Sequence, residues 1–147
     1  MLKILLTAVI FYNMSFTVWQ TDFTKAKELA KSSHRLILVN FSGSDWCGPC
    51  IRIKKEFFDD SNFLKMADSS LVLVNEDFPR NKKNQLSTNL QKQNNALADK
   101  YNPEGIFPFT LLIAENGKVI KTWDGLPNTK VDLFSKQIAA LCNANKK

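Results

Sequence analysis

Leu36-Ile-Leu-Val-Asn-Phe-Ser-Gly-Ser-Asp-Trp-Cys-Gly-Pro-Cys50 joins a nearly continuous apolar run to two cysteines three residues apart. The run from Leu36 to Phe41 predicts a central strand covered on both faces, since a strand with one wet face would alternate. Trp46-Cys47-Gly48-Pro49-Cys50 then predicts a helix that opens on its cysteines, and two thiols so placed can close and reopen a disulfide. The thiolate is the attacking species in disulfide exchange. The unpaired N–H groups and positive dipole end of a helix N-terminus favour that anion. Cys47 is therefore the expected nucleophile. Cys50, about one turn further in and on the more buried face, is the expected resolving thiol, close enough to attack a mixed disulfide formed at Cys47. Pro49 suits a first turn whose N–H is not needed, and Gly48 leaves the nucleophile uncrowded for an incoming sulfur.

Two other readings of the pair stand beside this one. A Cys-x-x-Cys can be half of a zinc site, but such a site wants four ligands and only Cys142 and the single histidine, His34, remain to supply them. A purely structural disulfide is the other, although a three-residue spacing closes too small a loop to add much stability.

Outward from the cysteines, Leu36 to Cys50 resembles the strand and active-site helix of the thioredoxin superfamily. Gly105-Ile-Phe-Pro-Phe-Thr110 resembles that family's cis-proline loop, and Asp124-Gly125 comes after a hairpin where the family often has a glycine near the site. Ser44-Asp45-Trp46-Cys47 and Asp77-Phe78-Pro79-Arg80, with Gln93-Asn94 and Leu97 to Tyr101 after them, resemble the exported bacterial branch that includes periplasmic disulfide reductases. The resemblance runs over about residues 19–142. It implies that Pro108 is cis and faces the two cysteines, and that the backbone of Phe107 pairs with an extended substrate strand. It also places Trp46 beside the disulfide, lining the substrate surface. Phe107 and Phe109 make this rim more aromatic than usual, which suggests apolar peptide segments as substrates; Phe109 can equally be core.

Two departures from the family bear on mechanism. The buried aspartate that thioredoxin keeps in the strand before its motif is replaced here by Asn40, which cannot serve as a base. Its partner lysine is also lost, to Leu73 if Asn75-Glu76-Asp77 is aligned with the family. The resolving step then uses water or a nearby carboxylate, for which Asp45 is the candidate proton-transfer group, or it is slower. Asp45 can equally be a solvated loop residue, and its charge would oppose the Cys47 thiolate.

At the N-terminus, Lys3 precedes an apolar run from Ile4 to Tyr12 broken only by Thr7. That is too short for a spanning helix, which needs about 20 residues, and it reads as a secretory signal peptide over residues 1–18, cut between Ser15 and Trp19. An uncleaved anchor tethering the protein is the alternative. The rest of the chain, residues 19–147, is expected to be one domain of about 130 residues. Lys3 is one of 20 basic residues, so removing the leader leaves 19 against 14 acidic ones, a net charge of +5. The basic residues are scattered and have no interleaved stacking aromatics, so nucleic-acid binding is not expected. The third cysteine, Cys142, shares a helical stripe with Phe134, Ile138 and Leu141 and reads as a buried free thiol.

Caps and periodicity predict the remaining elements. Thr21 or Asp22 caps a helix burying Phe23, Ala26 and Ala30, and the active-site helix turns Ile51, Ile53, Phe57 and Phe58 inward. Asp60 or Ser61 starts a short helix to Met66; Leu71 to Val74 is a strand; residues 75–84 are a polar loop; a helix runs from Ser87 or Thr88 to Tyr101. Strands over 110–114 and 119–123 flank Asn116-Gly117 as a hairpin, and Thr129 caps the last helix. The fold class is α/β, a thioredoxin-like three-layer sandwich whose central mixed sheet carries helices on both faces.

The expected function is that of an exported thiol:disulfide oxidoreductase, most simply a reductase of disulfides in other secreted proteins, since glycine-proline between the cysteines resembles the reducing thioredoxins. An oxidase or isomerase, or a non-catalytic module that captures clients, are the alternatives. No organic cofactor and no metal are implied. A membrane-embedded thiol reductant is the implied electron source, and a monomer is expected.

Overall fold

A computed structural model describes residues 17–146. The leader expected over residues 1–18 lies, but for its last two residues, outside them. Four strands form one mixed sheet in the order β2-β1-β3-β4, with β2 parallel to β1 and the other pairs antiparallel. They are β1 (Leu36–Ser42), β2 (Leu71–Asp77), β3 (Phe109–Ile113) and β4 (Val119–Asp124). Before the first helix, Gln20 adds a single parallel bridge to Val74 at the β2 edge.

Every residue of β1 is buried, as its uninterrupted apolar run requires of a strand covered on both faces. Helices α1 (Phe23–Ser33) and α4 (Thr88–Tyr101) cover one face, where Phe23, Ala26, Ala30 and Leu97 meet Ile37, Val39, Val72, Val74 and Leu111. The other face takes α2 (Gly48–Ile53), α3 (Ser61–Ser70) and α5 (Val131–Ala144), whose Ile53, Phe63, Ala67, Phe134, Ile138 and Cys142 meet Leu36, Leu38, Leu73 and Leu112. This is the expected three-layer sandwich. Among the described residues, no helix is long and apolar enough to cross a membrane.

The capping logic holds at Asp22, whose side chain accepts from the Lys25 N–H at 3.0 Å, at Asp60, which accepts from Asn62 and Phe63, and at Ser87. Several expectations are corrected. Thr129 does not cap α5; its N-cap is Lys130, with no side-chain bond. Strand β2 runs on to Asp77, because Asn75, Glu76 and Asp77 pair with Asn40, Phe41 and Ser42 in place of forming a loop. Helix α3 runs to Ser70. The hairpin turn is wider than two residues: the Gly117 N–H closes onto the Ala114 carbonyl, with Gly117 at φ 84° and a bulge in the ladder between Leu112 and Ile113.

Helix α2 passes directly into a π-helical turn over Lys54–Phe58, closed by the Asp59 N–H on the Lys54 carbonyl. Ile53, Phe57 and Phe58 are buried, but Ile51 is 52% exposed. At about 100° per residue, two positions before Ile53 lies on the far side of the helix, so Ile51 cannot share the inward face.

Candidate active site

The chain leaves β1 at Ser42, crosses Gly43 to Asp45 and enters α2 at the cysteines. Cys47 and Cys50 form a disulfide with Cα atoms 5.2 Å apart. Both are buried, so exposure does not separate them; their hydrogen bonds do. Cys47 is the N-cap of α2, with extended backbone, and its Sγ accepts from the Cys50 N–H at 3.2 Å. That donor is one of the orphan N–H groups of the helix start, and it is aimed at the sulfur that must carry charge as a thiolate. Cys50 Sγ accepts from the Gly43 N–H at 3.5 Å. Gly48 and Pro49 are exposed in the first turn, and a Cβ on Gly48 would meet nothing within 4 Å.

The Phe107–Pro108 peptide is cis. Its placement comes from register: Phe41 at the end of β1 pairs with Phe109 at the start of β3, so the proline loop meets the sheet where the cysteine loop leaves it. The Gly125 N–H donates to the Pro108 carbonyl at 2.8 Å, which ties the glycine after β4 to this loop. Phe109 is buried and packs with Phe41, so it belongs to the core, while Phe107 is half-buried.

Trp46 joins the two loops. Its ring meets Phe107 edge-on at 5.4 Å, its indole N–H donates to the Phe78 carbonyl at 2.7 Å, and the Arg80 guanidinium lies 3.7 Å from the ring centre. A Cβ on Gly43 would overlap the ring, so only glycine leaves the indole its seat. Sequence reasoning does not single out Gly43 or Arg80 as site residues. Arg80 sits in the Asp77-Phe78-Pro79-Arg80 motif, which is the available signal; nothing in the sequence pairs Gly43 with Trp46.

Asp45 and Asp77 organise the loops. Asp77 accepts from the Ser44 N–H, the Ser44 hydroxyl and its neighbour Phe78 N–H. The Asp45 carboxylate accepts from the Arg80 and Asn81 N–H groups and from Asn84 Nδ2, each at 2.9 Å. The Arg80 backbone bond first, and then the Asn84 amide, hold the Asp45 carboxyl below its ordinary range.

Asn40 is buried on the face that α2 covers, in line with Leu36 and Leu38. It donates to Asn75 Oδ1 at 2.9 Å and accepts from the Thr110 hydroxyl at 3.2 Å. The residue facing Asn40 across the sheet is thus Asn75, two positions beyond Leu73. None of Asn40, Asn75 and Thr110 titrates. The buried carboxylate nearby in sequence, Glu76, points to the opposite face, toward Gln93 of α4.

Cys142 is buried, and burial pushes its thiol up to about 11. It lines a small cavity with His34, Arg35 and Ser69 at the start of β1, the far end of the strand from Cys47. The four candidate zinc ligands therefore do not converge, and among the described residues no group of three or more His, Cys, Asp or Glu is placed to hold a metal.

The chain is 31% identical over 123 residues to the disulfide bond reductase DsbH of Chlamydia pneumoniae, across 84% of this chain and 72% of that protein. It is 34% identical over 84 residues to the thioredoxin-related protein DsbJ of the same organism, across 57% of this chain, and spans only 24% of DsbJ's length. A solved structure of a DsbH oxidoreductase superposes with a TM-score of 0.75 at 27% identity, covering 95% of this chain and 94% of that one. A family model described as thioredoxin-like matches residues 18–113. That match runs from before α1 through β3 and so contains the buried strand, the cysteine pair and the cis-proline: the chain belongs to the thioredoxin-like family of thiol:disulfide oxidoreductases.

Proposed function

We propose that the protein is an exported reductase of disulfides in secreted proteins. The observation that carries the direction is the match to DsbH, named a disulfide bond reductase, over most of both chains. The glycine-proline dipeptide between the cysteines supports it. Export rests on the apolar leader over residues 1–18 and on the Dsb relatives, with an uncleaved leader as the form that would tether the domain.

In the forward step the Cys47 thiolate attacks one sulfur of a client disulfide. The client S–S bond breaks, and its electron pair leaves on the second client sulfur, which takes a proton. The Cys50 thiolate then attacks Cys47 Sγ, closing the Cys47–Cys50 bond and releasing the first client sulfur as a thiolate that is protonated in turn. Two electrons and two protons pass to the client. The N-cap bond from the Cys50 N–H serves the thiolate at Cys47. Asp45 has both oxygens engaged, and the Asn40 cluster is neutral, so the Cys50 proton goes to water. Trp46, Gly48, Pro49, Phe107 and Pro108 form the surface on which the client lies. Regeneration needs a thiol reductant embedded in the membrane, and the domain works as a monomer without organic cofactor or metal.

The test is the equilibrium reduction potential of the Cys47–Cys50 pair in a dithiol redox buffer. A value near the thioredoxin end, about −270 mV, supports a reductase, and a value near about −120 mV makes the protein a donor of disulfides. Cys50→Ser should accumulate a mixed disulfide between Cys47 and client, visible on non-reducing gels, whereas Cys47→Ser should trap nothing and lose reduction. A Cys47→Ser protein that kept its full biological effect would make it a client-binding module.

A further inference from the structure

The segment between β2 and α4 builds surface that the exchange chemistry leaves unused. Together with α4 and the residues before Pro108 it encloses a groove of about 540 Å³, whose walls include Trp46, Phe78, Arg80, Gln85, Asn94 and Phe107. Trp46 and Phe107 also flank the cysteine and proline loops, so the groove opens beside the disulfide. Its aromatic wall is continuous, Phe78 meeting Phe107 edge-on at 5.5 Å and Phe107 meeting Trp46 at 5.4 Å.

Two charged side chains line this wall, Asp77 and Arg80, and Arg80 is both fixed and unspent. Its backbone N–H is held by Asp45, and its guanidinium carbon lies over the Trp46 ring, 3.7 Å from the ring centre. Among the described residues its side chain has no ion pair and no hydrogen bond. The two acids close by are spent: Asp45 on the Arg80, Asn81 and Asn84 donors, Asp77 on Ser44 and Phe78. Lys82 and Lys83 come next on the same exposed segment. A guanidinium held against a ring has little further freedom to lose on binding, and its planar fork matches a carboxylate.

We infer that the groove takes an extended segment of the disulfide-bearing client, and that Arg80 selects clients with an acidic side chain next to the reacting cysteine. This rests on the proposed disulfide exchange and adds its substrate preference. The other groove residues give the segment an apolar wall and amide partners, apart from the Asp77 carboxylate, whose oxygens are taken up by Ser44 and Phe78.

The experiment uses three peptides of one length, each a symmetrical disulfide through a single cysteine flanked by Glu, Gln or Lys. The rate of exchange with the reduced protein is measured for each. The Glu peptide should react about fivefold faster than the Gln peptide and the Lys peptide slower, with the spread shrinking as salt rises. Arg80→Ala should bring the three rates within about twofold, Arg80→Lys should keep part of the order, and Arg80→Glu should reverse it. Equal rates in the wild-type protein, or an order that survives Arg80→Ala, would overturn the inference. Binding of the same sequences, with serine for cysteine, to a Cys47→Ser/Cys50→Ser protein separates the two readings. Preference for the Glu sequence without exchange keeps the Arg80 subsite and sinks the activity, while exchange without preference does the reverse.

Discussion

Glu76 is the one charged side chain fully buried among the described residues. Its Oε1 has no hydrogen-bond partner, and its Oε2 accepts only a long 3.4 Å bond from Gln93. Burial, with the nearby Asp22 charge adding to it, raises its carboxyl from 4.5 to about 7 against the pull of Gln93. The folded state therefore holds a proton that the unfolded chain gives up near 4.5. The contribution of Glu76 to stability is full below that pH and is lost as pH rises through about 7, on the order of 3 kcal/mol at about 1.36 kcal/mol per pKa unit. Urea denaturation between about pH 4 and 8 should show this decline, and Glu76→Gln should flatten it. An unchanged slope in the variant would place the titration elsewhere. The residue is legible in the sequence only as one of a polar triplet, because whether Asn75, Glu76 and Asp77 lie in a strand or a loop depends on pairing with β1.

At the level of elements, most starts and stops are local chemistry and are legible in the sequence: Asp22, Asp60 and Ser87 each accept an N–H of their own helix. Helix α5 is the exception. Its N-cap is Lys130, at φ −76° and ψ 149°, the backbone of a capping residue but with a side chain that cannot accept. Lys130→Asp should raise stability by about 0.5–2 kcal/mol, seen as a higher urea midpoint at unchanged slope. A lower midpoint would mean that the lysine makes contacts worth more than a cap. The active-site helix shows the opposite dependence. Its switch from α to π turn at Lys54 has no sequence signature, and is visible only once Phe57 and Phe58 are seen packed on α5 and α3.

Across the whole molecule, the helices on the active-site face meet at Phe134. Its ring contacts Phe57 at 5.4 Å and Trp123 at 5.4 Å, with Phe58 and Phe63 about an ångström further out at 6.5 and 6.4 Å. One side chain of α5 thus ties together α3, β4 and the helical run that begins at the cysteines. Phe134→Ala should cost about 3–5 kcal/mol, the range for emptying a buried aromatic position. Urea denaturation measures it, and a loss below about 1 kcal/mol would show that the neighbours collapse into the space.

The apolar run from Leu36 to Phe41 and the spacing of Cys47 and Cys50 determined the central strand, the helix after it and the redox pair, because burial period and N-terminal dipole act over a few neighbouring residues. The stripe through Phe134, Ile138 and Cys142 likewise placed the third thiol in the core. Contacts between segments far apart in the chain were left to the tertiary structure. Asn75 faces Asn40 only through the parallel register of β1 and β2. Asp45 became the clamp of the Arg80 loop because residues 35 to 39 positions away supply its donors. Ile51 was turned to solvent by a helix phase that the core, and not its own hydrophobicity, selects. Arg80 came to rest on Trp46 for the same reason: a loop's side chains are aimed by whatever its ends are anchored to, and those anchors are distant in sequence.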